Sequence, residues 1–471
     1  MRWGPFNHDW SLFPSGYLLW VQPGGGKKKE LRKNKKSKDF HMKTILNPSK
    51  SEWSKALKRP VQKTKEIEKI VKPIMRKVKR SGDKALKKFA LEYDHVQIKN
   101  LLVSLEEIKK ARELVDPKLK EAIQVAKENI EKFHAAQESP ELKMEVMEGV
   151  TCMRRSVPIQ RVGLYIPGGT APLFSTVLML GVPANLAGCE EIILCTPPDK
   201  DGNIHPAILY TADLIGIDKI VKAGGAQAVA AMTYGTESVP KVDKIFGPGN
   251  QYVTAAKQLA VKKGVAIDMP AGPSEVLVYA DETAVPAFVA ADLLSQAEHG
   301  VDSQVVLVTT TEKFAKKVLK EVEVQCEQLP RKDIANRALD NSVTVIMGNQ
   351  AKAMELINDY APEHLIICVE NEEEVVNSII NAGSVFIGNY TPESAGDYAS
   401  GTNHTLPTYG YARNYSGVSL DSFFKKITYQ KITEKGIQLL GPSIEVLAAN
   451  ELLDAHKNAV SIRLNYLKEK K

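Results

Sequence analysis

The chain has no two cysteines close enough in sequence to form a C-x-x-C pair. Its five, Cys152, Cys189, Cys195, Cys326 and Cys368, are dispersed over 471 residues. That argues against a disulfide framework and against a thiolate zinc site, and it points to a reducing compartment, the cytoplasm. No apolar run approaches the ~18 residues needed to cross a bilayer, so no membrane span is expected. Charge of one sign is also missing from most of the chain. Residues 1–41 hold nine Lys/Arg against three Asp/Glu, but the remaining 430 residues hold 54 against 53, which leaves no bulk electrostatic case for nucleic acid as a partner. Core-forming material is plentiful: 43% hydrophobic and 25% charged residues at this length allow two or three domains.

Residues 1–41 differ in texture from the rest, with three of the four tryptophans (Trp3, Trp10, Trp20) and the run GGGKKKELRKNKKSK at Gly24–Lys38. Phe13-Pro14-Ser15-Gly16 interrupts what would be the apolar part of a secretory signal, and the bias to Lys over Arg and Ser fits a transit peptide poorly. The segment reads as a disordered extension or an upstream mis-start, with the fold beginning near Met42. Its lysine run reads as a solvated tail.

From Glu52 to Ser139 apolar residues such as Ile67, Ile70, Val71, Ile74 and Val78 recur at helical spacing, which predicts several amphipathic helices. At Arg161 a βα alternation begins. Strands are expected at Arg161–Ile166, Glu191–Cys195, Lys219–Lys222 and Val242–Phe246, with helices at Ala171–Ala187, His205–Ile215, Ala226–Met232 and Gln251–Val261. Three of these strand-to-helix turns, Pro167-Gly168-Gly169, Gly224-Gly225 and Gly247-Pro248-Gly249-Asn250, carry glycines whose backbone N–H groups could receive a phosphate, although G-x-G-x-x-G itself is absent. A second α/β run follows, with strands at Glu275–Tyr279, Gln304–Val308, Thr344–Met347, His364–Val369 and Ser384–Ile387 and helices including Thr311–Glu327 and Gln350–Asp359.

The expected fold class is therefore α/β: two doubly wound, atypically Rossmann-like parallel-sheet domains, one interrupted by the other, with helical N- and C-terminal segments. The expected division is 1–41, extension; 42–160, N-terminal helical segment; 161–270, inserted domain on the dinucleotide side; 271–419, the domain with the reacting residues; 420–471, C-terminal helical segment. The last should contain helices Ile444–Ala455 and Lys457–Leu467 separated by His456.

Candidate chemistry concentrates in a few places. In ADLLSQAEHG (Ala291–Gly300), Gln296 and His299 lie three apart and share one face if the stretch is helical and ends at Gly300. Alone this would be a polar helix end. His364, His404 and His456 also stand in Gly-, Asp- or Glu-rich surroundings rather than apolar runs, which makes a metal site worth carrying. Asp397 in ESAGDYASGTNH (Glu393–His404) lies among small residues in what reads as a functional loop, the plain alternative being an Asx-type turn. Glu363 and His364 follow Pro362, so both should stand at a turn or strand start, an acid beside an imidazole. Gln296, His299, Asp397 and His456 would make a nitrogen and oxygen donor set suited to Zn²⁺, without thiolate and so open and catalytic. Glu451, five residues before His456, could reach the same pocket.

Taken together, YIPGGTAPLFSTVLML (Tyr165–Leu180), KAGGAQAVAA (Lys222–Ala231), GPGNQYV (Gly247–Val253), DMPAGPSEV (Asp268–Val276), LLSQAEHG (Leu293–Gly300), APEHL (Ala361–Leu365), ESAGDYASGTNHTLPT (Glu393–Thr408) and AHKNAV (Ala455–Val460) resemble the histidinol dehydrogenases, in one order from roughly Met42 to Leu467. The resemblance implies a homodimeric enzyme with one Zn²⁺ per subunit that oxidises L-histidinol through histidinaldehyde to L-histidine with two NAD. It further implies that Gln296, His299, Asp397 and His456 hold the zinc and that Glu363 and His364 are the acid/base pair. Ser274, His404 and Glu451 line the substrate, together with the zinc ligands and His364. Tyr165, Gln227 and Asn250 contact NAD, and the segment bearing Glu451 and His456 enters the partner's site.

Overall fold

The computed structural model describes residues 42–60, 64–168, 171–270 and 272–470. The expected extension at 1–41, Gly169 of the first glycine turn and Ala271 lie outside the described residues.

Two parallel sheets carry the chain. The first, of six strands, runs in the order Lys43–Leu46, Val343–Ile346, Gln304–Thr309, Glu275–Ala280, His364–Cys368, Ser384–Ile387. Strand Glu275–Ala280 shows why it is central: all six residues are buried, with Val276, Val278 and Ala280 in the core on one face and Leu277 and Tyr279 in the core on the other. A strand covered on both sides reads as a continuous apolar run. The second sheet, of five strands, runs Lys219–Lys222, Glu191–Thr196, Arg161–Tyr165, Lys244–Phe246, Ala266–Ile267, again all parallel. One of its faces is covered by helices Thr64–Tyr93, Gly225–Tyr234 and Gln251–Val261, the other by Leu105–Leu114, Phe174–Leu186 and Pro206–Leu214. The fold class is the α/β arrangement expected, and strands 219–222 and 384–387 and helix 251–261 carry the expected bounds.

The N-terminal segment differs from the expected helical run. Its amphipathic helices are present, Leu105–Leu114 entered through a Ser104/Glu107 capping box and Pro117–Ala135 through Asp116 ahead of Pro117. It also supplies strand Lys43–Leu46, an edge of the six-stranded sheet, and two strands of a third sheet. That sheet is antiparallel, in the order Phe424–Ile432, Val150–Pro158, Leu142–Met147. Every residue of Leu142–Met147, and every residue of Phe424–Ile432 after Phe424, is exposed. With no buried face, neither stretch shows the alternation that identifies a half-buried strand.

The chain after Leu420 is therefore not helical throughout. Helices Glu434–Asn450 and Asp454–Glu469 follow the strand, and the break between them comes at Leu452, whose φ of 58° turns the chain. His456 stands in the first turn of the second helix, not between the two. The helices pack against each other, with Val460 and Leu464 on Gly441, and leave Leu447, Leu452, Ile462 and Tyr466 more than half exposed. Among the described residues no helix is long and apolar enough to cross a membrane, and all five cysteines are free.

Candidate active site

The site forms where the chain enters the central strands of the six-stranded sheet. Helix Gln350–Tyr360 ends on Ala361 in the left-handed conformation (φ 51°). Pro362 then prevents its continuation, and Glu363 and His364 open the next strand, both buried. The parallel register sets His364 opposite Val276, beside the backbone of Glu275. The Glu275 N–H donates to Glu363 Oε2 at 2.9 Å, and His364 Nδ1 lies 3.2 Å from the Glu275 carbonyl oxygen. One peptide residue thus holds both members of the expected acid/base pair.

Glu275 is itself clamped. Arg59 reaches its carboxylate with Nε and Nη2 at 2.6 and 2.8 Å and donates to the Tyr360 carbonyl at 2.7 Å, while the Tyr360 hydroxyl adds a bond of 3.3 Å to the same carboxylate. A two-pronged guanidinium–carboxylate contact fixes orientation as well as distance.

The other carboxylates come from ESAGDYASGTNH. Its first half is not a loop but the short helix Glu393–Tyr398, so Glu393 and Asp397, four apart, lie on one face. Glu393 Oε1 is 3.7 Å from His364 Nδ1, and Asp397 Oδ1 is 3.6 Å from His364 Nε2. Ser295 donates to Glu393 Oε2 at 2.9 Å. His404 closes the group, with Nδ1 2.9 Å from the Asp397 carbonyl oxygen and Nε2 3.1 Å from the Thr176 hydroxyl.

The electrostatics follow from this crowding. Burial pushes the carboxyls of Glu363 and Glu393 up to about 8. Burial pulls His364 the other way, but Glu363, Glu393 and Asp397 outweigh it and raise the imidazole to about 10. Asp397 resists burial and stays below the usual carboxylate range through His364, His404 and His299.

Helix Pro286–Ala297 ends three residues before Gly300, and His299 stands in the turn beyond, its N–H 3.2 Å from the Gln296 carbonyl oxygen. His299 as a whole residue is exposed, while desolvation by the surrounding protein lowers its imidazole from the ordinary value, with Asp397 opposing. Gln296 is fully buried, and among the described residues both polar atoms of its amide lack a partner. An unpaired buried amide leaves room for a ligand, and its oxygen, like the His299 and Asp397 side chains that act on each other electrostatically, is a donor type that a cation takes. Among the described residues, however, no three His, Cys, Asp or Glu are grouped to hold a metal. Ser274 immediately precedes Glu275 and is partly open. Glu451 and His456 are exposed on the C-terminal arm, and no hydrogen bond or ion pair among the described residues joins them to the cluster.

Tyr165, Gln227 and Asn250 meet elsewhere, in a cavity of about 1000 Å³ at the carboxyl ends of the five-stranded sheet, where open α/β sheets bind ligands. Asn250 caps helix Gln251–Val261, its Oδ1 accepting from the N–H groups of Tyr252 and Val253 at 3.0 and 3.2 Å, which leaves Nδ2 as its donor. Two of the glycine N–H groups expected to be open to a phosphate are engaged within the chain. The Gly225 N–H is bound to the Tyr165 hydroxyl at 3.0 Å, and the Gly247 N–H to Asp268 Oδ2 at 2.8 Å. Gly247 is required for space instead: at φ 122° a Cβ would stand 2.1 Å from the Tyr165 carbonyl oxygen.

The model of the histidinol dehydrogenase family matches residues 57–464. The chain belongs to the histidinol dehydrogenase family. It is accordingly an NAD-dependent oxidoreductase of histidine biosynthesis. The histidinol dehydrogenase of Bacteroides thetaiotaomicron is 62% identical over 427 residues, 91% of this chain and 100% of that protein; that of Escherichia coli K12 is 51% identical over 416 residues, 88% of this chain and 95% of that protein. A crystal structure of histidinol dehydrogenase from Elizabethkingia anophelis, 60% identical, superposes with a TM-score of 0.89 and covers 91% of this chain and 99% of that one.

Sequence patterns did not point to Arg59, Glu275 or Glu393. Glu275 reads as a polar residue at a strand start, and Arg59 is 216 residues from it. Only Glu393 had a signal, its i,i+4 spacing to Asp397, which becomes visible once the segment is seen as helix.

A further support lies behind His404. His134 is fully buried, with Nδ1 2.8 Å from the Ile130 carbonyl oxygen and Nε2 3.4 Å from Asn403 Nδ2; Asn403 also donates to the Met179 carbonyl at 2.6 Å. Neutral imidazole protonated on Nδ1 satisfies both contacts. Burial holds its pKa below the ordinary 6.5, so the unfolded chain takes up a proton that the folded one resists. This contribution to stability is complete above about pH 6.5 and is lost as pH falls through the depressed folded value. Melting temperatures recorded from pH 7.5 to 5 should therefore fall less steeply for His134→Gln than for the wild type; parallel slopes would contradict this account.

Proposed function

We propose that the chain oxidises L-histidinol to L-histidine through enzyme-held histidinaldehyde, with two NAD, one Zn²⁺ per subunit and a site shared across a homodimer. The observation that supports it most is the pairing of Glu363 and His364 on the backbone of Glu275 beside Asp397, together with a buried Gln296 that has no partner among the described residues. In this reading residues 161–270 form the NAD side, with Tyr165, Gln227 and Asn250 as contacts. Residues 271–419 carry catalysis, residues 420–471 serve the partner, and the enzyme works in the cytoplasm.

Gln296, His299 and Asp397, with His456 of the partner subunit, would hold the zinc, which when bound orients the imidazole and amine of histidinol. His364 accepts the hydroxyl proton in the first oxidation. It does so from its neutral form, and the carboxylates of Glu363, Glu393 and Asp397 around it then hold the imidazolium that results. Glu363, fixed at one oxygen by the Glu275 N–H, uses the other to take a proton from the water that adds to the aldehyde. Ser274 and His404 orient the substrate. The exposed apolar residues of the C-terminal helices, and those of Leu142–Met147, leave surface that a second copy would cover, which would bring Glu451 and His456 to the opposite cluster.

Chelation is expected to abolish NADH formation from L-histidinol, and added Zn²⁺ to restore it without refolding. Full activity in exhaustively chelated, metal-free protein would overturn the zinc assignment.

A further inference from the structure

The cavity that holds Tyr165, Gln227 and Asn250 also holds a carboxylate that no step above uses. Asp94 follows helix Thr64–Tyr93, and His95 after it takes a left-handed backbone (φ 56°), turning the chain away and leaving Asp94 among the lining residues. A left-handed, non-glycine residue beside a cavity is a strained feature held by its surroundings. Asp94 Oδ2 is buried and has no hydrogen-bond partner among the described residues. Burial raises the carboxyl to about 6, with His95 opposing, and no donor among the described residues offsets its desolvation. A buried acceptor left unpaired is destabilising, and here the missing partner is a donor that enters the cavity from outside.

The neighbours indicate what that donor belongs to. Ile70 and Ile74, before the break of the helix at Gly82, and Tyr93, after it, line the same cavity and form an apolar wall suited to a planar base. That helix covers the face of the five-stranded sheet opposite Phe174–Leu186, and Phe174–Leu186 carries Thr176, the hydroxyl bound to His404. Asp94 therefore approaches from the side away from the reacting cluster.

We propose that Asp94 binds the 2′- and 3′-hydroxyls of the adenosine ribose of NAD and excludes the 2′-phosphate of NADP. A vicinal diol offers two O–H donors to one carboxylate, whereas a phosphate on the 2′-oxygen removes one donor and sets negative charge against negative charge. The inference rests on the reading of this cavity as the NAD site.

The test is direct binding of NAD, NADP and NAD lacking the 2′-hydroxyl of its adenosine ribose, measured by calorimetry on the full-length wild-type protein and on Asp94→Asn, with Asp94→Ser as a second variant and Gln227→Ala as a control for the site. The wild type should bind NAD at least about 100-fold more tightly than NADP and lose about 10-fold on removal of the 2′-hydroxyl. In Asp94→Asn the preference for NAD should shrink at least about 10-fold and the penalty for the missing hydroxyl should fall below about 3-fold. Thermal melting establishes that each variant is folded, and Asp94→Ser decides the matter should the amide fail to fold. An NAD/NADP ratio and a hydroxyl penalty both unchanged in a folded variant would overturn the proposal for Asp94 alone. Wild-type NAD binding that Gln227→Ala leaves untouched would overturn the reading of the cavity, and the proposal with it.

Discussion

Glu363→Gln should leave the oxidation of histidinol to the aldehyde running while it lowers NADH formation from histidinaldehyde by about 10²–10⁴-fold, the usual contribution of a positioned acid/base group. The geometry separates the two effects. Glu363 Oε2 is engaged by the Glu275 N–H at 2.9 Å, and Gln can keep that bond through its carbonyl oxygen, so the side chain stays in place and His364 keeps its own contact to the Glu275 carbonyl. What the substitution removes is the ability to take a proton from water, and only the second oxidation consumes water. Single-turnover NADH formation, started once with histidinol and once with histidinaldehyde, checks this. Equal losses from both substrates would mean that Glu363 acts on the alcohol step as well, or only through His364.

The largest effect on stability is expected at the loop that shapes the dinucleotide cavity. Lys257 and Asp268 meet at 2.5 Å with side chains 4% and 1% exposed. Lys257 also donates to the Gly247 carbonyl at 2.8 Å, and Asp268 accepts from the N–H groups of Gly247 and Met269. Gly247 is thus bound on both its donor and its acceptor side, and Asn250 stands three residues further on. Removing one partner of a buried pair strands the other charge, at about 3–5 kcal/mol. Lys257→Met should therefore lower the unfolding free energy in urea by about that much and weaken NAD binding together with it. Lys257→Met combined with Asp268→Asn should recover more than half of the loss, because Asn still accepts from Gly247 and carries no charge. A loss below about 1 kcal/mol in the single variant would show that the pair adds little.

How far residues alone lead can be judged element by element. The inner strands of both parallel sheets are largely apolar runs, and burial on two faces makes them easy to place, whereas the edge strands Lys43–Leu46 and Ala266–Ile267, exposed or only two residues long, were not among those expected; Gln251–Val261 even carries its own capping Asn250. The antiparallel arm was hidden for the opposite reason. Leu142–Met147 and Phe424–Ile432 bury almost nothing within one chain, so no periodic core face marks them. Glu363, His364, Asp397 and His404 were identified by type and spacing, and the structure brings them together. Arg59 and Glu275 were not, because a bond between residues 216 positions apart is a product of the fold. The glycine turns were read as phosphate donors, while two of the N–H groups are occupied by Tyr165 and Asp268. A glycine reports backbone freedom and does not say what uses it.

The measurement that bears most directly on the central claim is the stoichiometry of the complete reaction, with NADH counted against L-histidinol consumed and the product identified. Two NADH per histidinol with L-histidine as the product is the expected result. One NADH per histidinol with aldehyde released to solution, or no turnover by zinc-loaded protein, would contradict it.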